Sequence, residues 1–438
     1  MKNTRYSLLY PLLLLLLSTA FLFSSCRKDE DDDQLDQERI TENTEFYKLM
    51  RDWYYWYDKI PNINPANYAS VYDVLEAIRH RPLDRWSYVT SREEFESFYI
   101  QSKFIGYGFG SAFDQEGKLR VTFIFNENDL YKNGVRRSWI IEKVNGTTVT
   151  TNVNINQLLG PNEIGVTNTF LFRKPDGTQE EMTVQKDEVF MNTVLHKEIL
   201  EAGNRKAGYL VLQGFRTPTF GELKAAVDFF NSEGGIDDLI LDLRYNGGGQ
   251  TNVANYLASI IGGPAIFGKA FAKYMYNDKR ENNHNFTSNF GAEQETHGQE
   301  TLELGRLITI ATDRTASASE MVINGLRPFM DVHIIGDDTY GKPMGQNVFT
   351  YGDLYAFLPV TFKIANADGF GDYFDGLPAD SYVVDDITRL FGDPEEASLK
   401  EALTFIETGS FSMLPRKKSL YVQPWEQMTG LRREIGAH

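Results

Sequence analysis

The sequence has little cysteine and fewer basic than acidic residues. Cys26 is the single Cys among 438 residues, which excludes a disulfide framework and a thiolate zinc cluster. Lys and Arg number 44 against 61 Asp and Glu, and the formal net charge is -17. This acidity argues against nucleic acid as a partner, because phosphate binding requires cationic side chains. Hydrophobic residues make up 42% of the chain, so disorder is excluded over most of its length.

Three common catalytic motifs are also missing. None of the six histidines belongs to an HExxH pair, so a zinc hydrolase is unsupported. The sequence has no Gly-x-Ser-x-Gly turn, which disfavours an esterase that uses Ser and His. It has no Walker loop, and Gly106-x-Gly108 does not continue into a dinucleotide fingerprint. We therefore expect neither a metal nor a cofactor, and we interpret His333, within an apolar strand, as a structural histidine.

The first 25 residues predict a secretory signal. Lys2 and Arg5 precede an apolar run over residues 8–23, which is shorter than the ~20 residues that a membrane-spanning helix needs. The run ends at Ser24-Ser25-Cys26, which resembles a bacterial lipobox. That resemblance implies lipidation of Cys26 as the first residue of a mature lipoprotein. An uncleaved anchor helix is the alternative interpretation.

Residues 26–39 form an acidic segment. Two basic and seven acidic residues lie between Arg27 and Glu38, and such a charge block is predicted to stay extended. It could serve as a solvated tether, and it also resembles the acidic leader that exports some Gram-negative lipoproteins to the outer leaflet. Both readings are compatible. We expect a cell-envelope lipoprotein of the outer membrane, with its periplasmic or cell-surface orientation left open.

The rest of the chain divides into regions of different periodicity. Residues 40–103 predict a helical domain, because aromatic side chains recur every three to four positions. Residues 104–187 predict short strands with Gly turns. Strands alternate with helices over 188–410, which predicts an α/β catalytic core with a mostly parallel sheet and crossover helices. A polar stretch at 276–304 is interpreted as a surface excursion, and 411–438 as a C-terminal tail.

A glycine loop opens the predicted β domain. Gly106, Tyr107, Gly108 and Phe109 resemble the Gly-hydrophobic-Gly-Phe loop of PDZ domains, in which consecutive backbone N–H groups bind the carboxylate of a peptide. The match departs at 138–139, where Ser-Trp replaces the usual Gly-Asp. A PDZ-like domain that binds peptides is the favoured interpretation, and a generic small β domain is the alternative.

Three segments of the α/β region carry candidate chemistry. The segment Leu243–Gly249 passes from a strand into three glycines, which predicts either an oxyanion cradle or a tight turn. Ser317 heads a helix, where serine often serves as a plain N-cap. Lys342 follows an apolar strand, where burial favours a neutral amine that can act as a base. Each segment alone also has an ordinary structural explanation.

In combination, these segments resemble the carboxyl-terminal processing (tail-specific) serine peptidases. The family pattern is Leu-Arg-x-Asn-x-Gly-Gly, then Thr-Ala-Ser-Ala-Ser-Glu, then Thr-Phe-Gly-Lys with Gln four residues later. The resemblance covers about residues 84–408 and includes a closing segment at Gly376–Asp380, shifted by one residue. It implies a Ser-Lys peptidase in which an N-terminal helical domain and an inserted PDZ-like β domain accompany the α/β core.

The resemblance assigns catalytic roles to three side chains. Ser317 is the nucleophile and Lys342 the general base, which must be neutral to accept the hydroxyl proton. This requires a lysine pKa lowered from about 10.4 toward about 7–8. Gln346 orients the lysine amine. We interpret Glu320 as a helix-capping residue.

The same resemblance assigns the supporting groups. The N–H of Ala318 and that of Gly248 or Gly249 form the oxyanion hole, while Arg244 and Asn246 brace the glycine loop. The implied activity is endopeptidase cleavage of proteins or peptides near their free C-termini. A non-catalytic peptide-binding lipoprotein with the same fold is the alternative, and the sequence leaves the oligomeric state and the natural substrate open.

Overall fold

The computed structural model describes residues 26–412, 421–428 and 430–438. The predicted signal at 1–25 lies outside the described residues. The described chain opens with a long helix, Cys26–Trp53.

The acidic segment 26–39 belongs to this helix, so the prediction of an extended segment was wrong. Two side-chain contacts at helical spacing accompany the change: Gln34 donates to Glu38 at 3.1 Å, and Arg39 pairs with Asp36 at 3.2 Å. Such pairs stabilise a helix, and a helix already nucleated by a buried face extends at little further cost. The buried face that follows therefore overrides the local charge repulsion.

The aromatic face of this helix packs as its spacing predicts. Phe46, Met50 and Tyr54 are at most 1% exposed. Ser91 caps a later helix by accepting the Glu94 N–H at 3.1 Å. The remaining helical segments of this region are Tyr57–Lys59, Pro65–Asn67, Val71–Ile78, Arg92–Phe95 and Glu96–Ile100.

A strand joins this helical region to the C-terminal half of the chain. Tyr88–Ser91 pairs antiparallel with Tyr355–Leu358, which also pairs with Phe349–Tyr351. The sequence periodicity predicted helices here and gave no sign of this strand. The pairing places residues 86–87 beside the C-terminal half, where they contact the candidate site.

Residues 103–190 form a small antiparallel β structure. A Phe-rich core, including Phe109, Phe170 and Phe172, is fully buried on one face of its sheet. The sheet contains, in spatial order, Phe109–Phe113, Leu119–Ile124, Ile140–Val144, Thr167–Arg173 and Gln179–Gln185, with Thr147–Thr148 beside Ile140–Val144. Lys103–Gly106 pairs with Asp187–Phe190, and the short helices are Asp129–Lys132 and Ile155–Leu158.

The central sheet has six strands and carries the site. An antiparallel pair lies at one edge, and the other neighbours are parallel. The spatial order is Val194–Ala202, Arg205–Leu212, Asp238–Asp242, Arg306–Ala311, Asp331–Gly336 and Ser381–Tyr382.

Both faces of this sheet are covered by helices, as buried parallel strands require. Leu239 and Leu241 pack against one set of helices, whereas Ile240 between them packs against the opposite face. The first face is covered by Thr219–Ser232, Thr251–Gly262 and Ala318–Leu326, and the second by Ala397–Thr408. The candidate nucleophile thus precedes a helix on the first face.

The polar stretch at 276–304 contains helical segments and a strand, which were not predicted from the sequence. Its strand Phe286–Asn289 pairs with Ala270–Tyr276 in a four-stranded sheet completed by Val360–Ala365 and Met344–Gln346. The aromatic ring of Phe286 stacks on Tyr274 at 4.2 Å, which supplies apolar contact that the polar composition hides. The short helical segments nearby are Pro264–Ile266, Glu281–His284 and Gln294–His297.

The last described segments, Pro424–Gln427 and Gly430–Ile435, are helical and return to the body of the protein. Among the described helices, none combines the length and apolar character needed to cross a membrane.

Candidate active site

Ser317 occupies the turn between the strand Arg306–Ala311 and the helix Ala318–Leu326. Its backbone has φ 57° and ψ -115°, a conformation that is strained for any residue with a Cβ. Strain of this kind costs about 1–3 kcal/mol and persists where surrounding contacts enforce it. The side chain is partly exposed at the helix start.

The carboxylate of Glu320 provides that enforcement. Its Oε2 accepts the N–H groups of Ser317 and Lys342, both at 2.8 Å. Its Oε1 accepts the Thr339 hydroxyl at 2.5 Å and the Gly341 N–H at 2.7 Å. Burial raises the pKa of the Glu320 carboxyl, although these hydrogen bonds act in the opposite direction. One buried side chain therefore connects the backbones of the predicted nucleophile and the predicted base.

Lys342 and Gln346 are in direct contact. The Lys342 Nζ donates to Gln346 Oε1 at 2.9 Å. The Gln346 Nε2 donates to the carbonyl oxygens of Trp86 and Leu358, both at 2.8 Å. Because two carbonyls occupy the NH₂ group, the amide oxygen must face the lysine amine. The structure thus brings the predicted base and its predicted orienting residue together.

The glycine loop lies against the nucleophile. A Cβ on Gly248, whose φ is +107°, would lie 2.8 Å from the Ser317 Cβ, so only glycine fits there. Asn246 supports this approach, since its carbonyl accepts the N–H of Ala316 at 3.1 Å and its amide donates to the carbonyl of Leu212 at 3.0 Å. The loop is therefore bound on both sides, in line with the bracing role inferred for Asn246.

The structure narrows the predicted oxyanion hole. The Gly248 N–H donates to Asn246 Oδ1 at 2.9 Å and is already engaged. The N–H of Ala318 lies in the first turn of its helix, and no carbonyl of an earlier turn is present to accept it. Of the predicted donors, Ala318 and Gly249 remain available to an oxyanion.

Arg244 lies deeper and contacts acidic side chains. It is 1% exposed and donates to Asp242, Asp385 and Glu396 at 2.7–3.1 Å. His333, in the strand Asp331–Gly336, contacts the Phe405 ring edge-on with the ring centroids 4.6 Å apart. The side chains of Arg244 and His333 thus both contact other side chains of the protein, consistent with the structural roles inferred for them from the sequence.

A cavity of about 440 Å³ opens beside the predicted dyad. Ala316, Gly247 and Lys342 line it, together with Trp86 from the N-terminal region. Its basic lining residues are Arg79, Arg81, Arg85, Arg314, Lys342 and Arg433. Asp313 is the acidic residue in the lining, and burial raises the pKa of its carboxyl. The described residues contain no group of three or more side chains suited to hold a metal ion.

The loop Gly106, Tyr107, Gly108 and Phe109 is occupied by the protein itself. The N–H groups of Tyr107 and Gly108 both donate to the main-chain oxygen of His438 at 2.7 Å, and the His438 N–H donates to the Phe109 carbonyl at 2.7 Å. Sequence reasoning treated residues 411–438 as a tail and missed this contact. A terminal stretch of nine residues carries too little periodicity to predict it.

The family models match two parts of the chain. The model described as Peptidase family S41 covers residues 206–375, and the one described as the Peptidase S41 N-terminal domain covers residues 41–88. In these two regions the chain is that of a peptidase family S41 member. The first match contains the glycine loop, Ser317, Lys342 and Gln346, and the second ends two residues after Trp86.

Known relatives agree with this family. A probable CtpA-like serine protease of Staphylococcus aureus (strain MRSA252) is 22% identical over 350 residues, which cover 79% of this chain. The match spans 65% of that relative's length. An S41 protease from Bacteroides fragilis has the same fold, with a TM-score of 0.69, 23% identity, and coverage of 83% of this chain and 97% of its own. Mature CPAF matches with a TM-score of 0.50 and 11% identity over 87% of this chain and all of its own.

Proposed function

We propose that the chain is a serine endopeptidase that cleaves proteins or peptides near their C-termini through an acyl-enzyme. The observation that carries this proposal is the fixed Gln346 amide, whose oxygen faces the amine of Lys342. A lysine that serves only to bind substrate does not need an amide held by two backbone carbonyls. The Glu320 carboxylate supports the pairing, because it ties the backbone of Ser317 to that of Lys342.

The mechanism begins with proton transfer from Ser317 to the neutral amine of Lys342. The serine Oγ attacks the scissile carbonyl carbon, and the carbonyl π electrons move to its oxygen. Collapse of this intermediate breaks the C–N bond, and the lysine ammonium protonates the leaving amine. Water then hydrolyses the ester by the same proton transfers and returns Ser317 to its hydroxyl form.

Two backbone groups are proposed to stabilise the oxyanion, the N–H of Ala318 and that of Gly249. The helix that begins at Ala318 adds a favourable dipole. Losing one donor of this kind typically costs about 2.7–4 kcal/mol of transition-state stabilisation.

We propose a PDZ-like role for the β structure at 104–187. Its loop presents the N–H groups of Tyr107 and Gly108 to a single oxygen, which is the arrangement that captures a peptide carboxylate. Substrates with free C-termini would bind there and extend toward the cavity. Cys26 remains the proposed lipidation site of an outer-membrane lipoprotein.

The test is cleavage of a protein substrate by Ser317→Ala and Lys342→Ala. Each variant should lose cleavage while keeping the unfolding curve of the unmodified protein. The exposed residues Ser232 and Lys132 provide matched controls, as Ser232→Ala and Lys132→Ala, which should retain full activity. Cleavage by either site variant at the unmodified rate would refute the dyad. An unmodified protein that binds peptides but never labels at Ser317 with a serine-directed probe would establish the non-catalytic binder.

A further inference from the structure

The segment 430–438 fills a groove that a peptide ligand would need. His438 is fully buried, and Ala437 and Ile435 are 1% and 2% exposed. Ile435 and Ala437 pack into a cluster with Phe98, Phe123, Phe125, Val189, Met191 and Tyr245. The helix Gly430–Ile435 ends here, and the four residues from Ile435 to His438 are all buried.

The backbone of the segment is bound as well as its side chains. His438 accepts from Tyr107 and Gly108 and donates to Phe109, each at 2.7 Å. The Gln213 amide donates to the carbonyl of Ile435 at 3.0 Å. Main-chain pairing of this kind supplies affinity in peptide grooves, and the side-chain pockets supply selectivity.

The loop is shaped to this occupant. A Cβ on Gly106 would lie 2.9 Å from the carbonyl carbon and oxygen of His438, so a side chain there would expel the segment. The imidazole of His438 is also recognised, since its Nε2 lies 2.7 Å from the Ser111 hydroxyl. Ser111 is therefore placed to select a side chain at the position of His438 that can form a hydrogen bond.

Residues from the same part of the chain line the cavity beside Lys342. Trp425, Met428 and Arg433 line it together with Lys342. Arg314, another lining residue, lies over the Trp425 ring with its guanidinium carbon 5.2 Å from the centroid. The same stretch of chain therefore occupies the loop and narrows the cavity beside the dyad.

We propose that residues 430–438 are an internal ligand of the peptide groove, which a substrate must displace before it reaches Ser317, and that Ser111 selects the side chain at the position of His438. The effect on cleavage rests on the proposed peptidase function, whereas occupancy of the groove does not. A ligand tethered to the same chain acts at an effective concentration in the millimolar range, so a free peptide competes poorly until the segment is released.

The test measures binding in the Ser317→Ala background, which removes any dependence on cleavage. The probe is a fluorescent peptide with the sequence of residues 430–438 and a free carboxylate. Ala437→Asp places a charge in the apolar cluster and should release the segment. The control is Val422→Asp, which introduces the same charge at a 60% exposed position outside residues 430–438. We expect about tenfold or more tighter peptide binding by Ala437→Asp than by the control or the parent. Equal binding by all three would overturn the proposal.

Hydrogen exchange on the parent protein gives a second test that needs no variant at the segment. Millimolar peptide should speed exchange over residues 430–438, and unchanged exchange would overturn the proposal even if Ala437→Asp failed to fold. A peptide that ends in Ala instead of His should bind about fivefold more weakly, and Ser111→Ala should abolish that difference. Equal binding of the two peptides to the parent would refute the role of Ser111.

A cleavage assay then separates the two proposals. With Ser317 intact, Ala437→Asp should cleave a peptide substrate faster than Val422→Asp does. Tighter peptide binding with no cleavage by any protein would retain the internal ligand and refute the peptidase. Cleavage at equal rates, together with equal peptide binding, would retain the peptidase and refute the internal ligand.

Discussion

Replacing Glu320 with glutamine should lower the free energy of unfolding by about 1–3 kcal/mol and preserve part of the activity. Each carboxylate oxygen accepts two donors, whereas an amide offers one oxygen and one NH₂ group. With the amide oxygen in place of Oε2, Ser317 and Lys342 keep their acceptor. The NH₂ group then faces the Thr339 hydroxyl, which can accept, and the Gly341 N–H, which loses its partner.

The opposite amide orientation would leave two buried N–H groups without acceptors and cost about twice as much. In the first orientation the Thr339 hydroxyl proton also loses its acceptor, but a hydroxyl can rotate whereas a backbone N–H cannot. That orientation therefore predominates, and the one unsatisfied N–H sets the magnitude. Burial raises the pKa of the Glu320 carboxyl, which shows that the charged form is penalised by desolvation. Glutamine removes that penalty, so we expect a loss in the lower part of the range.

Alanine at the same position should be far more damaging. Four donors would lose their acceptors, which amounts to roughly 4 kcal/mol at about 1 kcal/mol for each, and the Ser317 turn would lose its restraint. Urea unfolding monitored by tryptophan fluorescence, together with peptide cleavage rates, measures both effects. The exposed Glu233 provides the matched control as Glu233→Gln. A Glu320→Ala protein as stable and active as the unmodified one would refute the positioning role of Glu320. Equal losses of stability and activity in Glu320→Gln and Glu320→Ala would refute the assignment of two hydrogen-bond donors to each carboxylate oxygen.

Two further predictions follow from other contacts. Gln346→Glu should reduce cleavage by about 100-fold at neutral pH, because a carboxylate favours the charged form of Lys342. Activity should recover in part as the pH rises, and an unchanged pH profile would contradict this prediction. Burial alone would raise the pKa of Asp238, but hydrogen bonds from Arg306 and Arg205 outweigh burial and hold it below its ordinary value. The stability from this lowered pKa is present above about pH 4 and disappears as the pH falls through the folded-state pKa. Arg306→Met should therefore cost about 2 kcal/mol at pH 7 and progressively less in acid, as measured by urea unfolding, and a constant difference across pH would contradict the assignment.

Much of the architecture could be predicted because it depends on local periodicity. The apolar residues Leu239, Ile240 and Leu241 lie in a central strand of the predicted α/β region, and Ile140–Val144 is one of the strands in the region where short strands are predicted. The buried helix face of Phe46, Met50 and Tyr54 follows from spacing alone. In the site, the Lys342–Gln346 contact follows from the family pattern, and the structure gives it at 2.9 Å.

The features that sequence reasoning missed depend on partners distant in the chain. The acidic segment 26–39 is helical because of the buried face that follows it. The hydrogen bond from the Gly248 N–H to the Asn246 side chain depends on the loop conformation, which the glycine pattern does not reveal. The importance of Glu320 was underestimated, since a capping residue and a clamp between two loops have the same sequence signature. The docked segment 430–438, Gly-Leu-Arg-Arg-Glu-Ile-Gly-Ala-His, has no local pattern that predicts its docking.

The carbonyl of Trp86 makes the N-terminal region part of the candidate site, because it accepts a hydrogen bond from the Gln346 amide. A fragment restricted to residues 206–375 would contain Ser317, Lys342 and Gln346 but would lack one of the two oxygens that hold the Gln346 amide. That amide could then turn its NH₂ group toward the lysine. The arrangement of Lys342 and Gln346 thus forms only when residues more than two hundred positions apart have met, and a half-folded chain would contain these side chains without their geometry.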